Sequence, residues 1–157
     1  MSGSRGAGAA PPARVTRTRP PYLHWPNLGL VLVGGALGVA AREGASLVIT
    51  EGGDMPVVVP VLNLLAAFLL GFLYQGLTRT APGEPLTSRL KLTVGTGFCG
   101  GLSTYSSLAT DTAVLLSDGH ADLALLYSLG TVLLGAVATV AGIAVGDRLH
   151  PRGQVAS

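Results

Sequence analysis

Two stretches of this chain, Met55 to Thr78 and Leu123 to Gly146, contain no Asp, Glu, Lys or Arg. Each is long enough to cross the roughly 30 Å hydrocarbon core of a bilayer, which takes about 20 apolar helical residues at about 1.5 Å each. Two further stretches are nearly as clean: Asn27 to Ile49, with Arg42 and Glu43 near its far end, and Leu90 to Leu116, with Lys91 and Asp111 as its charges. The pattern predicts an all-α membrane protein with four transmembrane helices over residues 27–147. Only 11% of the 157 residues are charged, 48% are hydrophobic and the mean hydropathy is +0.54, which excludes an ordinary soluble domain. Pro60 falls in the opening turn or two of the second span, where its missing N–H is tolerated.

Composition removes several function classes. Cys99 is the sole cysteine, so there is no internal disulfide and no Cys/His cluster for zinc. Basic residues interleaved with aromatics, as a nucleic-acid surface needs, are absent from the body of the chain. Gly95 to Gly100 fits G-x-G-x-x-G, but the dinucleotide fingerprint requires a preceding strand and a βαβ unit, and this match lies inside an apolar span. No Walker A, HExxH or paired-carboxylate arrangement occurs, so neither ATP-driven transport nor a membrane hydrolase has support.

Residues 1–26 carry Arg5, Arg14, Arg17, Arg19 and five prolines, and read as a disordered tail; residues 148–157 form a short C-terminal tail. A signal peptide, with Leu28 to Ala41 as its apolar core, is the competing reading of the start. Charge is allocated unevenly. The tail, the second connection (Arg79, Arg89, Lys91) and the C-terminal end (Arg148, Arg152) hold nine basic residues; the first and third connections hold Glu51, Asp54, Asp118 and Asp122 and no basic residue. The positive-inside rule then puts both termini in the cytoplasm, in one fixed orientation.

Small-xxx-small pairs recur at Gly34/Gly38, Ala67/Gly71, Gly97/Gly101 and Gly142/Gly146, as close helix packing in lipid requires. The segment Gly97 to Asp111 joins Gly100-Gly101 to Ser103-Thr104 and Ser106-Ser107. It predicts a helix break whose freed carbonyls need protein, water or an ion; the alternative is close packing through glycine, with hydroxyls bonded back to their own helix. Asn63, Ala67, Gly71 and Gln75 form one row at four-residue spacing, and Tyr127, Thr131, Gly135 and Thr139 another. Each step drifts about 40°, so each row keeps within an arc of about 120°. Such rows serve as inter-helix glue or as a lined path, and donors without a mid-span cation suit a small, strongly hydrated anion.

Three separated motifs resemble the Fluc-type (CrcB) fluoride channels. Gly34-Gly35-Ala36-Leu37-Gly38-Val39-Ala40-Ala41-Arg42 is similar to the family's G-G-x-x-G-x-x-x-R, Asn63 to Gly71 to its second-span Asn motif, and Gly97 to Ser106 to its G-F-C-G-G-[LF]-[ST]-T-F-S signature. The resemblance implies a passive fluoride channel in a bacterial cell membrane, built as an antiparallel dimer of four-helix subunits with a broken third helix. It also implies a structural sodium ion at the dimer centre, for which Gly100 and Ser103 are the matching positions. Asn63, Tyr105, Ser106, Tyr127 and Thr131 are the implied fluoride-path residues, Arg42 the implied vestibule arginine, and Asp111 stands where the family has Glu. The chain departs from the pattern where Tyr105 and Leu108 take the places of two phenylalanines, and Val59 that of a Thr one turn before Asn63.

Nine basic residues against none disfavour a sequence that inserts both ways. The favoured partner is therefore a second homologous subunit in the inverted orientation, forming a heterodimer; a homodimer is the alternative. Two other classes stay open on the residues alone: a four-helix proton-coupled multidrug exporter, for which Asp111 is the carboxylate to consider, and a non-transporting assembly protein.

Overall fold

The structure is a computed structural model, and it describes residues 25–49, 57–80 and 83–149. The Arg/Pro-rich tail lies outside the described residues except for Trp25 and Pro26, which open the first helix; the acidic first connection and residues 150–157 also lie outside them. Helix α1 spans Trp25–Val48 and α2 spans Val58–Thr80, with Pro60 in its first turn. Helix α3 begins as an α-helix over Glu84–Leu90, widens into a π-helix over Lys91–Cys99 and ends in one α-turn over Gly100–Leu102. Helix α4 spans Tyr105–Ser117 and α5 spans Ala121–Leu149.

Three of these, Trp25–Val48, Val58–Arg79 and Ala121–Leu149, are long and apolar enough to cross a membrane. Four spans were expected; the third apolar stretch is divided between α3 and α4. Ser103 and Thr104 between them are extended, at φ −81°, ψ 153° and φ −148°, ψ 121°. Gly119, at φ +84°, makes the tight turn from α4 to α5.

Packing follows the small residues. Helix α1 lies on α3 so closely that a Cβ on Gly34 or Gly38 would overlap the carbonyl oxygen of Thr93 or Phe98, and one on Gly97 would come within 2.9 Å of the Gly34 backbone. Helices α2 and α5 meet in the same way, with Gly71 against the Thr139 carbonyl and Gly142 against that of Phe68. In lipid, where no hydrophobic effect drives helices together, backbone contact of this kind supplies the dispersion energy that holds them. Two small apolar clusters complete the interior: Val58, Leu62, Ala66, Cys99 and Leu102, and Leu108, Leu115, Ala124 and Tyr127. Leu32, Leu126, Leu133 and Val137 stay exposed on the outer faces of α1 and α5, as a lipid-facing exterior requires.

Candidate functional site

The interruption after Leu102 puts two consecutive peptide units at apolar depth without helical partners, and the structure satisfies them from α2. Asn63 Nδ2 donates to the Thr104 carbonyl at 3.1 Å, and the Thr104 N–H donates to Asn63 Oδ1 at 2.7 Å. A side-chain amide offers both a donor and an acceptor, so it can close this pair where a carboxylate or a hydrocarbon could not. Thr104 also caps α4. Its Oγ1 accepts from the Ser107 N–H at 3.3 Å and lies 3.1 Å from Ser106 Oγ and 3.2 Å from Ser107 Oγ. Thr104 was not singled out from the sequence, although a threonine ahead of an apolar run, after a glycine pair, is a start signal for a helix.

On the α3 side, Ser103 N–H and Oγ both donate to the Cys99 carbonyl, at 3.0 and 2.9 Å. In an uninterrupted helix the Thr104 N–H would donate to the Gly100 carbonyl; here it serves Asn63, so that carbonyl is released from the ladder. A Cβ on Gly100 would meet nothing within 4 Å, which marks open space beside it. Asn63, Gly100 and Ser103 share the wall of one groove of about 380 Å³ between α2 and α3, with Ala67 and Thr96.

Tyr127 and Thr131 form a second group. Both are buried; the Tyr127 hydroxyl donates to Asp111 Oδ2 at 2.7 Å, and Thr131 Oγ1 donates to the Tyr127 carbonyl at 2.6 Å. They line an apolar groove of about 330 Å³ between α2 and α5, with Val61, Leu64 and Leu134. Further along this row a Cβ on Gly135 would meet open space, and Thr139 Oγ1 donates to the Gly135 carbonyl at 3.0 Å. Leu108 is buried and packs in the same cluster as Tyr127 and Val59.

The structure therefore brings Asn63, Gly100 and Ser103 together, ties Ser106 to the same turn through Thr104, and pairs Tyr127 with Thr131. Tyr105 and Arg42 stand apart. Tyr105 is 83% exposed and projects away from the rest of the chain. Arg42 Nη2 lies 3.2 Å from Glu43 Oε1, and its buried Nε has no hydrogen-bond partner among the described residues. No group of three or more His, Cys, Asp or Glu that could hold a metal occurs among the described residues.

Long apolar helices, backbone-to-backbone glycine contacts and polar groups satisfied within the bundle define a multi-pass helical membrane protein. Residues 29–143 match the family model described as CrcB-like protein, Camphor Resistance (CrcB). A Leifsonia xyli protein named fluoride-specific ion channel FluC 2 is 38% identical over 133 residues, covering 85% of this chain and 92% of that protein. A protein of Ignicoccus hospitalis named fluoride-specific ion channel FluC is 36% identical over 119 residues, covering 76% and 94%, and one of Pyrococcus furiosus with the same name is 41% identical over 107 residues, covering 68% and 85%. This chain belongs to the CrcB family, in agreement with the resemblance carried by residues 34–42, 63–71 and 97–106.

Proposed function

We propose that this chain is a subunit of a passive, fluoride-selective channel that lets cytoplasmic fluoride leave down its gradient. It is not an enzyme, and its similarity to proteins named fluoride-specific ion channels supports the choice of ion. The observation that carries the reading is the Asn63–Thr104 clamp. One Asn63 N–H is committed to the Thr104 carbonyl, the second remains for a ligand, and the clamp fixes the amide in advance. A small anion with a tight water shell needs fixed donors that replace that shell without holding the ion too strongly to release it. Asn63 and Ser106 are the ready donors of this chain on that path; Tyr127 and Thr131 line it and would donate only by turning their hydroxyls from the Asp111 carboxylate and the Tyr127 carbonyl, and Tyr105 projects from it. Arg42, with a free Nε, would draw anions to the mouth.

The functional unit in this reading is an antiparallel dimer in which α3, the extended pair and α4 form the broken third span, with both termini in the cytoplasm. A sodium ion at its centre fits the donor chemistry, because the Gly100 carbonyl is released from its helix and lies beside Ser103 in an open groove. Neutral carbonyl and hydroxyl oxygens suit a hard monovalent cation, and two inverted copies would double the donor set. The ion would be structural. Charge segregation favours a heterodimer whose second homologous subunit has the opposite bias. The exporter alternative finds no support, since Asp111, its one mid-helix carboxylate, is engaged by Tyr127.

Reconstitution into liposomes tests the reading: fluoride efflux is expected, with chloride and a lipophilic cation retained, and with full activity only when an inverted homologue is co-expressed. Equal efflux of chloride would overturn selectivity, and full activity of this chain alone would overturn the heterodimer.

A further inference from the structure

Asp147, near the end of α5, accepts at one oxygen, Oδ1, from two donors of α2: the Gln75 amide Nε2 and the Arg79 guanidinium Nη2. The side chains of Arg79 and Asp147 are 17% and 40% exposed, so the cluster is reachable from the surface of the subunit. Gln75 is the last member of the polar row on α2. It also lines a groove of about 290 Å³ with Thr78 and Thr139, the last member of the row on α5. A planar amide and a guanidinium converging on one oxygen form a donor set for an anion, and here the chain fills it with its own carboxylate.

We propose that Gln75 and Arg79 form an anion site at this end of the α2–α5 pair, with the Asp147 carboxylate as its resident, displaceable occupant. The ligand class is a small, strongly hydrated monovalent anion; its identification as fluoride rests on the channel reading above, while the existence of the site does not. An entering anion keeps Gln75 and Arg79 satisfied, and the return of the released carboxylate to water offsets part of the hydration that the anion gives up. The partial offset allows entry without tight capture. Apart from the cluster, Gly71 and Gly142 place the backbones of α2 and α5 in contact.

The test is thermal unfolding of the purified protein, titrated with sodium fluoride against sodium chloride at constant sodium and ionic strength. Asp147→Asn keeps an oxygen for both donors but removes the competing charge and leaves Arg79 in need of an anion. The fluoride concentration giving half the stabilisation is expected to fall by about threefold or more. Arg79→Gln in the Asp147→Asn background is expected to return the titration to the wild-type midpoint or above, and Gln75→Leu with Asp147 intact to raise it. An unshifted midpoint in both Asp147→Asn and Gln75→Leu, or a lowered midpoint that survives loss of Arg79, overturns the proposal and leaves Asp147 as an inter-helix clamp. Absence of fluoride efflux from wild-type liposomes would defeat the channel reading and leave this titration standing as it is.

Discussion

Asn63 satisfies both backbone groups of Thr104 across 41 residues of sequence, and no other residue type of that size offers a donor and an acceptor in one plane. Asn63→Ala leaves the pair unpartnered at apolar depth, at about 1–3 kcal/mol for each group, so a marked fall in the unfolding midpoint in detergent is expected. Asn63→Asp keeps the acceptor for the Thr104 N–H but sets a carboxylate oxygen against the Thr104 carbonyl and along the proposed anion path. Liposome efflux is expected to drop further for Asp than its stability loss accounts for. The helix cap has its own signature: Thr104→Val is expected to cost about 1 kcal/mol and Thr104→Ser much less, measured by the same unfolding experiment. Leu108 makes the contrasting case. It takes the place of a phenylalanine in the signature that the sequence resembles, yet it is 7% exposed and packed against Tyr127. Leu108→Phe therefore overpacks the cluster, with an expected loss of about 1–3 kcal/mol, while Tyr105→Phe at its exposed position should leave the stability of the subunit within about 0.5 kcal/mol.

At the scale of the helices, glycine positions separate into two kinds that the sequence writes identically. Gly34 and Gly38 sit against backbone carbonyls of α3, which cannot move aside as a flexible side-chain tip can. Gly38→Val is expected to drive α1 off α3 and abolish recovery of folded protein after detergent extraction. Gly135 faces open space in the middle of α5, so Gly135→Ala is expected to be neutral or to stabilise by up to about 1 kcal/mol through helix propensity. The repeat of small residues was readable, and so was the poor helical continuity around Gly100-Gly101. The π-helix over Lys91–Cys99 was not, because a widened turn has no local residue pattern that distinguishes it from an α-helix. The boundaries of the long helices agree with the apolar runs to within a few residues, because charge and proline end both.

The whole molecule is governed by where its charge lies. Deleting residues 2–24 removes four arginines but leaves Arg79, Arg89, Lys91, Arg148 and Arg152 in the second connection and the C-terminal end, and no basic residue in the first and third connections. Unchanged topology in a reporter-fusion assay is expected, since orientation follows the Lys/Arg difference near the spans. Inversion or mixed orientation of that deletion would show that the tail alone sets the topology and would remove the charge argument for a heterodimeric partner.

The sequence by itself determined the solvent of this protein, its helical class, the residues across which helices can approach and the family to which it belongs. These follow from local composition and spacing, because a bilayer demands apolar length and internal backbone satisfaction whatever the partners are. Only the tertiary structure decided which polar groups meet: that Asn63 holds Thr104, that Tyr127 gives its hydroxyl to Asp111, that Leu108 turns inward, and that Asp147 occupies the donors of Gln75 and Arg79. Each of these joins residues far apart along the chain, and the rows Asn63 to Gln75 and Tyr127 to Thr139 are compatible with glue or path until the rotation of each helix about its own axis is known. That rotation is set by backbone contact at Gly34, Gly71 and Gly142, a property of two surfaces together that neither helix carries alone.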